Sequence, residues 1–365
     1  MKNIVVFNAL QTSLNAGIGR YSYELSKQLY INNPESIKIV IRNQDRELFD
    51  FAEDEDLIII DGIKNSRDRN WCEQFELPKI IHKKYPEAIV HYPDSMAPLF
   101  IKNKVVITVH DLAFKSLKDV FTWKTVLWKN ISTYLSVRKA NKIIAITNFT
   151  KGEILKYYPK VDKNKVSVIY NGFNDFSKEE INEDNLSHII KSIKKKYLLT
   201  VSTISPRKNI DGLIKAFNII KDDIEENLVI AGNKGWMCED IYKLVDELKL
   251  NDRVIFTGKV NEDELKYLYK NAKLFTYLSF YEGFGLPPLE AISYGIPCIV
   301  SNTSCIPEVV GDSAVKVDPN DILMISKSVK KLLLHKCEKI FKITHENIGK
   351  FSWQKCAEET FKLIK

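Results

Sequence analysis

Residues 281–290 read YEGFGLPPLE. Two carboxylates, Glu282 and Glu290, bracket a turn with two glycines, a Pro-Pro pair and the start of an apolar run. Proline suits the first turn of a helix, where its missing N–H has no intrahelical partner to lose. The stretch therefore predicts a loop ending at a helix N-terminus, with Glu282 before the helix and Glu290 in its first turn. Backbone amides at such an end favour anions, and glycine lets a ligand approach the main chain closely. Carboxylates beside an anion site suit a molecule with both phosphates and hydroxyls, as a sugar nucleotide has. A plain turn is the competing reading, because the macrodipole alone favours a first-turn glutamate and Gly-Pro runs are common in turns.

The chain has 365 residues, more than one core usually supports, so two domains are expected. With 45% hydrophobic and 11% aromatic residues it is globular rather than disordered. The opening MKNIVVFNAL is too short an apolar run for a signal peptide or a membrane span and reads as a buried first strand. Six cysteines show no CxxC spacing, which points away from a zinc or redox motif and towards a reducing cytoplasm. The net charge of +7 is uneven: residues 1–178 hold 27 Lys and Arg against 20 Asp and Glu, and the remainder is balanced. An acidic partner for the first half is implied.

Short β-branched runs alternate with helical patterns. The strand candidates are 4–7, 37–42, 57–60, 88–92, 105–110, 142–147 and 166–170, then 197–202, 227–232, 253–258, 274–279, 297–302 and 314–318. Near-continuous apolar strands separated by helices predict parallel sheets covered on both faces, here two doubly wound α/β domains. The polar stretch GFNDFSKEEINEDNLSH marks a boundary within 172–195, followed by a short basic helix, HIIKSIKKKY. The expected division is 1–178, 179–345 and a closing amphipathic helix within 346–365.

Five constellations carry candidate chemistry. Gly17 and Gly19 lie between the first strand and helix, where doubly wound folds cradle phosphates; a tight turn would use the same residues. Arg207 and Lys208, in ISPRKN, follow strand 197–202 and open the next helix, a plausible diphosphate clamp or a solvated pair. His110 and Asp111 end strand 105–110, as a core histidine or a site residue. SNTSCIPEVVGDSA places Ser and Thr hydroxyls ahead of a short helix, which suggests an N-cap. Asn171-Gly172 forms a turn that could hinge.

Together GIGRY, TVHD, VIYNGFN, PRKN, VIAGNKGW, YEGFGLPPLEA, NTSCIPEVVGDSA and the terminal FSW helix resemble the retaining glycosyltransferases of family 4. That family has the GT-B arrangement of two Rossmann-like domains facing a cleft, with a C-terminal helix crossing back. The wording of PRKN and NTSxxPEVVGD is most similar to bacterial transferases building surface polysaccharide, many of them mannosyltransferases. The resemblance implies a nucleotide-sugar donor with GDP-mannose as the best guess, no metal and no cofactor. It also implies that Arg207 and Lys208 neutralise the donor diphosphate and that Glu290 binds the ribose hydroxyls. Glu282 holds the donor sugar with the amides of Phe284, Gly285 and Leu286. Gly17 and Gly19 approach the phosphate, Lys259 and Val260 grip the base, and His110 lines the sugar site. Thr203 stands where many members have an arginine, so either Arg207 serves as the second cation or phosphate contact is weaker.

The acceptor side is a glycan or lipid-linked saccharide, for which Asp111, Trp71 and Trp123 are candidates. Aromatics among lysines in the first domain suit an anionic membrane or an ordinary solvated surface, which implies a cytoplasmic protein peripheral to the inner face of the membrane. Another donor sugar, an epimerase, or a non-catalytic protein of the same fold are the alternatives. No nucleic-acid module is evident.

Overall fold

A computed structural model describes residues 4–14, 17–117, 120–334 and 349–365. The chain divides into two compact units, residues 1–172 with 351–365, and residues 173–350. The first sheet contains β1 (Val5–Asn8), β2 (Ile37–Arg42), β3 (Leu57–Ile60), β4 (Ile89–Tyr92), β5 (Lys104–Val109), β6 (Lys142–Ala145) and β7 (Val166–Val168). Its order is β3-β2-β1-β4-β5-β6-β7, and every pairing is parallel. Strands such as VVFN are buried along their whole length, which is why they read as unbroken apolar runs.

The second unit repeats the plan with β8 (Tyr197–Val201), β9 (Asn227–Ala231), β10 (Val254–Gly258), β11 (Ala272–Tyr277), β12 (Cys298–Ser301) and β13 (Val315–Val317). Its order is β10-β9-β8-β11-β12-β13, also parallel. The strand order reverses between β1 and β4 in one unit and between β8 and β11 in the other. Ligands of open α/β sheets bind outside the carboxyl ends of strands at such switch points.

The closing helix Trp353–Ile364 packs into the first unit, burying Trp353, Cys356, Ala357, Thr360 and Ile364 beside Tyr21 and Leu25 of the helix Gly17–Asn32. Gly172 is required there: a Cβ on it would lie 2.3 Å from the Trp353 nitrogen.

The segment after Gly172 differs from a loose linker. Tyr294 donates its hydroxyl to the Phe176 carbonyl at 3.0 Å, and Lys266 pairs with Glu179 at 2.5 Å. The Ser187 amide donates to Glu264 at 2.9 Å. Its polar residues thus serve as pins to the second unit rather than as a solvated tether. The expected basic helix is also shorter, spanning His188–Ser192. Among the described residues, no helix is long and apolar enough to cross a membrane, and five cysteines are buried free thiols.

Candidate active site

The loops that follow β8 and β11 meet at the second unit's switch point. Pro206–Lys208 form a single 3₁₀ turn, and Asn209 then turns left-handed at φ 54°. The helix proper runs Ile210–Ile220. Arg207 and Lys208 therefore precede the helix rather than open it, because the left-handed Asn209 breaks the path. Asn209 is held by its side-chain amide, which donates to the Pro319 carbonyl at 2.7 Å.

Both cations close on one carboxylate. Lys208 Nζ lies 2.6 Å from Glu282 Oε1, and Arg207 Nη1 lies 3.1 Å from Glu282 Oε2. Tyr277, the last residue of β11, joins them: Lys208 Nζ donates to its hydroxyl at 2.8 Å, and that hydroxyl donates to Glu282 Oε1 at 3.0 Å. The two loops are also tied through their main chains. Arg207 Nη1 donates to the Tyr281 carbonyl at 2.9 Å, and the Phe280 amide donates to the Arg207 carbonyl at the same distance.

Glu282 is buried. Burial alone would push its carboxyl up, but Lys208 and Arg207 outweigh it and hold the group below its ordinary value. Burial and the Glu282 charge together push the Tyr277 phenol well up, so it stays protonated. Two cations on one anion leave the triad with a net positive charge, suited to an anionic ligand.

Gly285 sits at φ 97°, where glycine is favoured, and a Cβ on it would fall 2.6 Å from Ile306. The helix begins at Leu286 and runs to Ser293. This corrects the expected placement of Glu290: starting one residue before the proline pair puts it beyond the first turn. Buried there, its carboxylate accepts from the Tyr269 hydroxyl at 2.9 Å. Pro287 and Pro288 carry no N–H, so among the first three helical residues Leu286 supplies the backbone donor.

The hydroxyls of 301–304 do not cap the helix Ile306–Val310, whose N-cap is Cys305. Thr303 instead donates to the Phe280 carbonyl at 3.2 Å, and Ser304 Oγ accepts the Glu282 amide at 3.1 Å. Cys305 Sγ donates to the Phe284 carbonyl at 3.2 Å. Three consecutive residues thus fasten the loop carrying Glu282. Tyr277 lies outside every motif read from the sequence, and the motif containing Thr303 and Ser304 suggested an N-cap instead of this anchoring, because their partners lie in the loop after the neighbouring strand.

Thr203 is exposed beside Gly235, and Lys259 is exposed just after Gly258, which takes a left-handed φ of 71°. Val260 precedes Asn261, which forms a capping box with Glu264. Neither Thr203 nor Lys259 joins the triad.

In the first unit, Gly17 opens its helix with nothing within 4 Å of an added Cβ. Gly19 is packed against Ser13, whose nitrogen would lie 2.7 Å from such a Cβ, so this glycine serves the chain's own packing. His110 is buried just past β5; its Nε2–H donates to the Pro93 carbonyl at 2.9 Å, and its ring meets Tyr21 edge-on at 4.7 Å. Burial lowers its pKa against the opposing pull of Asp94, the Pro93 carbonyl and Asp111, so the imidazole is neutral near pH 7. Asp111 accepts the Ala113 amide at 3.0 Å as a turn former. Trp71 and Trp123 are exposed. Among the described residues, no cluster of three or more His, Cys, Asp or Glu could hold a metal ion.

Two doubly wound units, one with the Arg207–Lys208–Glu282 cluster at its switch point, define the class: a two-domain α/β protein. Residues 16–175 match the model of Glycosyltransferase Family 4, and residues 182–350 match that of Glycosyl transferases group 1. The chain belongs to these glycosyltransferases.

It is 27% identical to O-antigen chain mannosyltransferase B of Escherichia coli over 96% of both chains. It is 33% identical to O-antigen chain mannosyltransferase RfbU of Salmonella typhimurium over 62% of this chain and 60% of that protein. A glycosyltransferase crystal structure from Rickettsia africae superposes with a TM-score of 0.73 at 19% identity, covering 100% of this chain and 98% of that one. Anabaena HepE, crystallised with UDP and glucose, gives 0.74 at 15% identity, covering 99% and 98%. These two similarities establish the GT-B fold.

Proposed function

We propose that the chain is a retaining mannosyltransferase. It moves mannose from GDP-mannose to a glycan or lipid-linked saccharide at the cytoplasmic face of the membrane, in building a surface polysaccharide. The observation that carries this reading is the closure of Arg207 and Lys208 on Glu282 at the second unit's switch point. The mannosyl preference is supported by the relatives from Escherichia coli and Salmonella typhimurium.

In this reading the C1–O bond of the donor breaks with its electron pair leaving on the diphosphate, and Arg207 and Lys208 stabilise the charge that accumulates there. Each such preorganised group contributes about 3 kcal/mol, by analogy with the loss of an oxyanion donor. The acceptor hydroxyl attacks the same face, and its proton passes to the departing phosphate oxygen. Glu282 is a poor nucleophile here, because both its oxygens are engaged by cations. It positions the donor sugar and fixes the cations, with the amides of Phe284, Gly285 and Leu286 alongside. Glu290 takes the ribose hydroxyls, and Tyr269 orients its carboxylate. Lys259 and Val260 meet the base; in the first unit Gly17 leaves its backbone open to a phosphate while Gly19 is packed on Ser13, and His110 is neutral and adds no charge. No metal is required, since the cations supply the neutralisation. Asp111, Trp71 and Trp123 remain the acceptor-side candidates.

Melting curves with GDP, UDP, dTDP and ADP and their sugars test the reading, because a ligand raises the melting temperature with its occupancy. GDP and GDP-mannose should give the largest shifts, unaffected by a chelator. A larger UDP or dTDP shift would reassign the donor. Conversion of the donor to a stereoisomeric sugar nucleotide without acceptor would point to an epimerase.

A further inference from the structure

The first unit has a switch point of its own, between β1 and β4. Asn8 ends β1 and Tyr92 ends β4, one step past the Phe7–His91 pairing that sets the two strands side by side. An unusual piece of helix lies over this edge. Between the helices Ser66–Trp71 and Leu77–Lys84, residues Cys72–Glu76 form a π turn, one residue wider than an α turn. Such turns are rare and often lie at functional sites. This one carries Glu73, whose Oε1 accepts from Asn8 Nδ2 at 2.8 Å.

The polar groups gathered here are poorly matched to one another. Arg69 Nε stands 3.9 Å from Glu73 Oε2, too far for a hydrogen bond. Among the described residues, neither Arg69 Nε nor the Tyr92 hydroxyl has a hydrogen-bond partner, although Tyr92 is only 2% exposed. Buried polar atoms are normally paired. Burial and then the Glu73 charge push the Tyr92 phenol well up, so its hydroxyl lies within the field of that carboxylate. Burial, with Asp94 adding to it, also raises the Glu73 carboxyl to about 7 against the pull of Arg69 and Asn8. The fold thus keeps, at neutral pH, a carboxylate that costs it stability, and carboxyls shifted in this way cluster at functional sites.

The chemistry of these groups selects the occupant. Glu73 accepts a proton, Arg69 Nε donates one, and the Tyr92 hydroxyl does either. A phosphate or carboxylate would meet the charges of Glu73 and Asp94, and a cation would meet Arg69. An uncharged hydroxyl donates and accepts at once, and a pair of them on adjacent sugar carbons serves two such groups. The side chains of Glu73 and Arg69 are 16% and 24% exposed, so the pair sits at the rim, and turning Arg69 aside breaks no hydrogen bond at Nε.

We infer that Asn8, Arg69, Glu73 and Tyr92 form a site for the adjacent hydroxyls of a neutral sugar, and that this site reads the terminal residue of the acceptor. It assigns an uncharged ligand to the switch point of a unit whose chain is otherwise rich in cations. The inference rests on the reading of the chain as a transferase to a saccharide, and it fails separately from it. Glycoside binding is measured without nucleotide, and the nucleotide melting shifts are measured without glycoside.

The test is saturation-transfer NMR of the intact chain at about pH 8, where Glu73 is ionised, with the methyl glycosides of mannose, glucose, galactose and N-acetylglucosamine. At least one glycoside should bind, and an equal concentration of inorganic phosphate should not displace it. Glu73→Gln should weaken binding by about tenfold or more, the loss of a hydrogen bond to a charged group. Tyr92→Phe should weaken it by about threefold, the loss of a neutral one. Neither change removes packing volume, and one relieves a buried charge while the other removes a buried hydroxyl with no partner, so neither variant should melt lower than wild type. Weaker binding by a protein that melts no lower is not a folding defect. Silence from all four glycosides, displacement by phosphate, or a Glu73→Gln variant that binds like wild type would each overturn the inference.

Discussion

The Ser304 hydroxyl accepts the backbone N–H of Glu282 at 3.1 Å, while the Ser304 backbone itself sits in the left-handed region at φ 56°. A side-chain-bearing residue pays about 1 kcal/mol for that conformation, roughly what one hydrogen bond returns. Ser304→Gly should therefore be nearly neutral in stability, trading the bond for released strain. Ser304→Ala keeps the strain and loses the bond, and should be about 1 kcal/mol less stable. Denaturant unfolding of both variants decides it; equal stabilities would refute the strained-anchor account.

Lys208→Ala leaves Glu282 buried with Arg207 and the Tyr277 hydroxyl. We expect kcat/KM to fall by roughly 10²–10³, the usual loss for one preorganised donor at developing charge, and the nucleotide-induced melting shift to disappear. Circular dichroism controls for the fold. Unaltered turnover would remove Lys208 from the site.

Glu282 sets an acid dependence. Its folded-state carboxyl lies below its ordinary value, so it contributes stability above the unfolded carboxylate pKa, about 4.3, and loses it as pH falls through the folded value. The stability gap between wild type and Glu282→Gln should be widest near pH 7 and close in acid. A gap that is flat with pH would contradict the ion-pair cluster.

Glu73 should show the opposite sign. It accepts from Asn8 Nδ2 at 2.8 Å, and its Oε2 lies 3.9 Å from Arg69 Nε. Burial, aided by Asp94 and opposed by Arg69 and Asn8, pushes its carboxyl up to about 7. A raised carboxyl pKa costs stability as pH rises from about 4.3 to 7, because the unfolded chain ionises first. Glu73→Gln should thus stabilise the protein at pH 8, on the order of 2 kcal/mol, and do little at pH 4. Thermal melts at the two pH values provide the check.

Gly172→Ala should destabilise by about 2 kcal/mol or more, since its Cβ would press on the Trp353 backbone and neither main chain can yield cheaply. Trp353 fluorescence would report any loosening of the closing helix, although its signal must be separated from four other tryptophans. A variant as stable as wild type would show that the helix tolerates displacement.

Each strand candidate has a strand in the structure, because a strand buried on both faces leaves an apolar run bounded by turn residues. The ends were less legible. Glu290 fell just past the first turn of its helix, because the helix begins at Leu286, one residue before the proline pair. The 172–188 stretch read as a linker from polarity alone, yet Glu179 and Phe176 are bound to Lys266 and Tyr294. Polarity does not distinguish a solvated side chain from a paired one.

Arg207, Lys208, Glu282 and Glu290 could be nominated by sequence alone, because local patterning shows which residues fall where a strand gives way to a helix. That Arg207 and Lys208 share Glu282, that Tyr277 completes the group and that Ser304 anchors it were decided by tertiary structure. Parallel pairing of β8 with β11 and of β11 with β12 brings their carboxyl ends to one edge. Loops some 75 residues apart in the chain thereby come within hydrogen-bonding distance, and no local pattern encodes which neighbour a strand will choose.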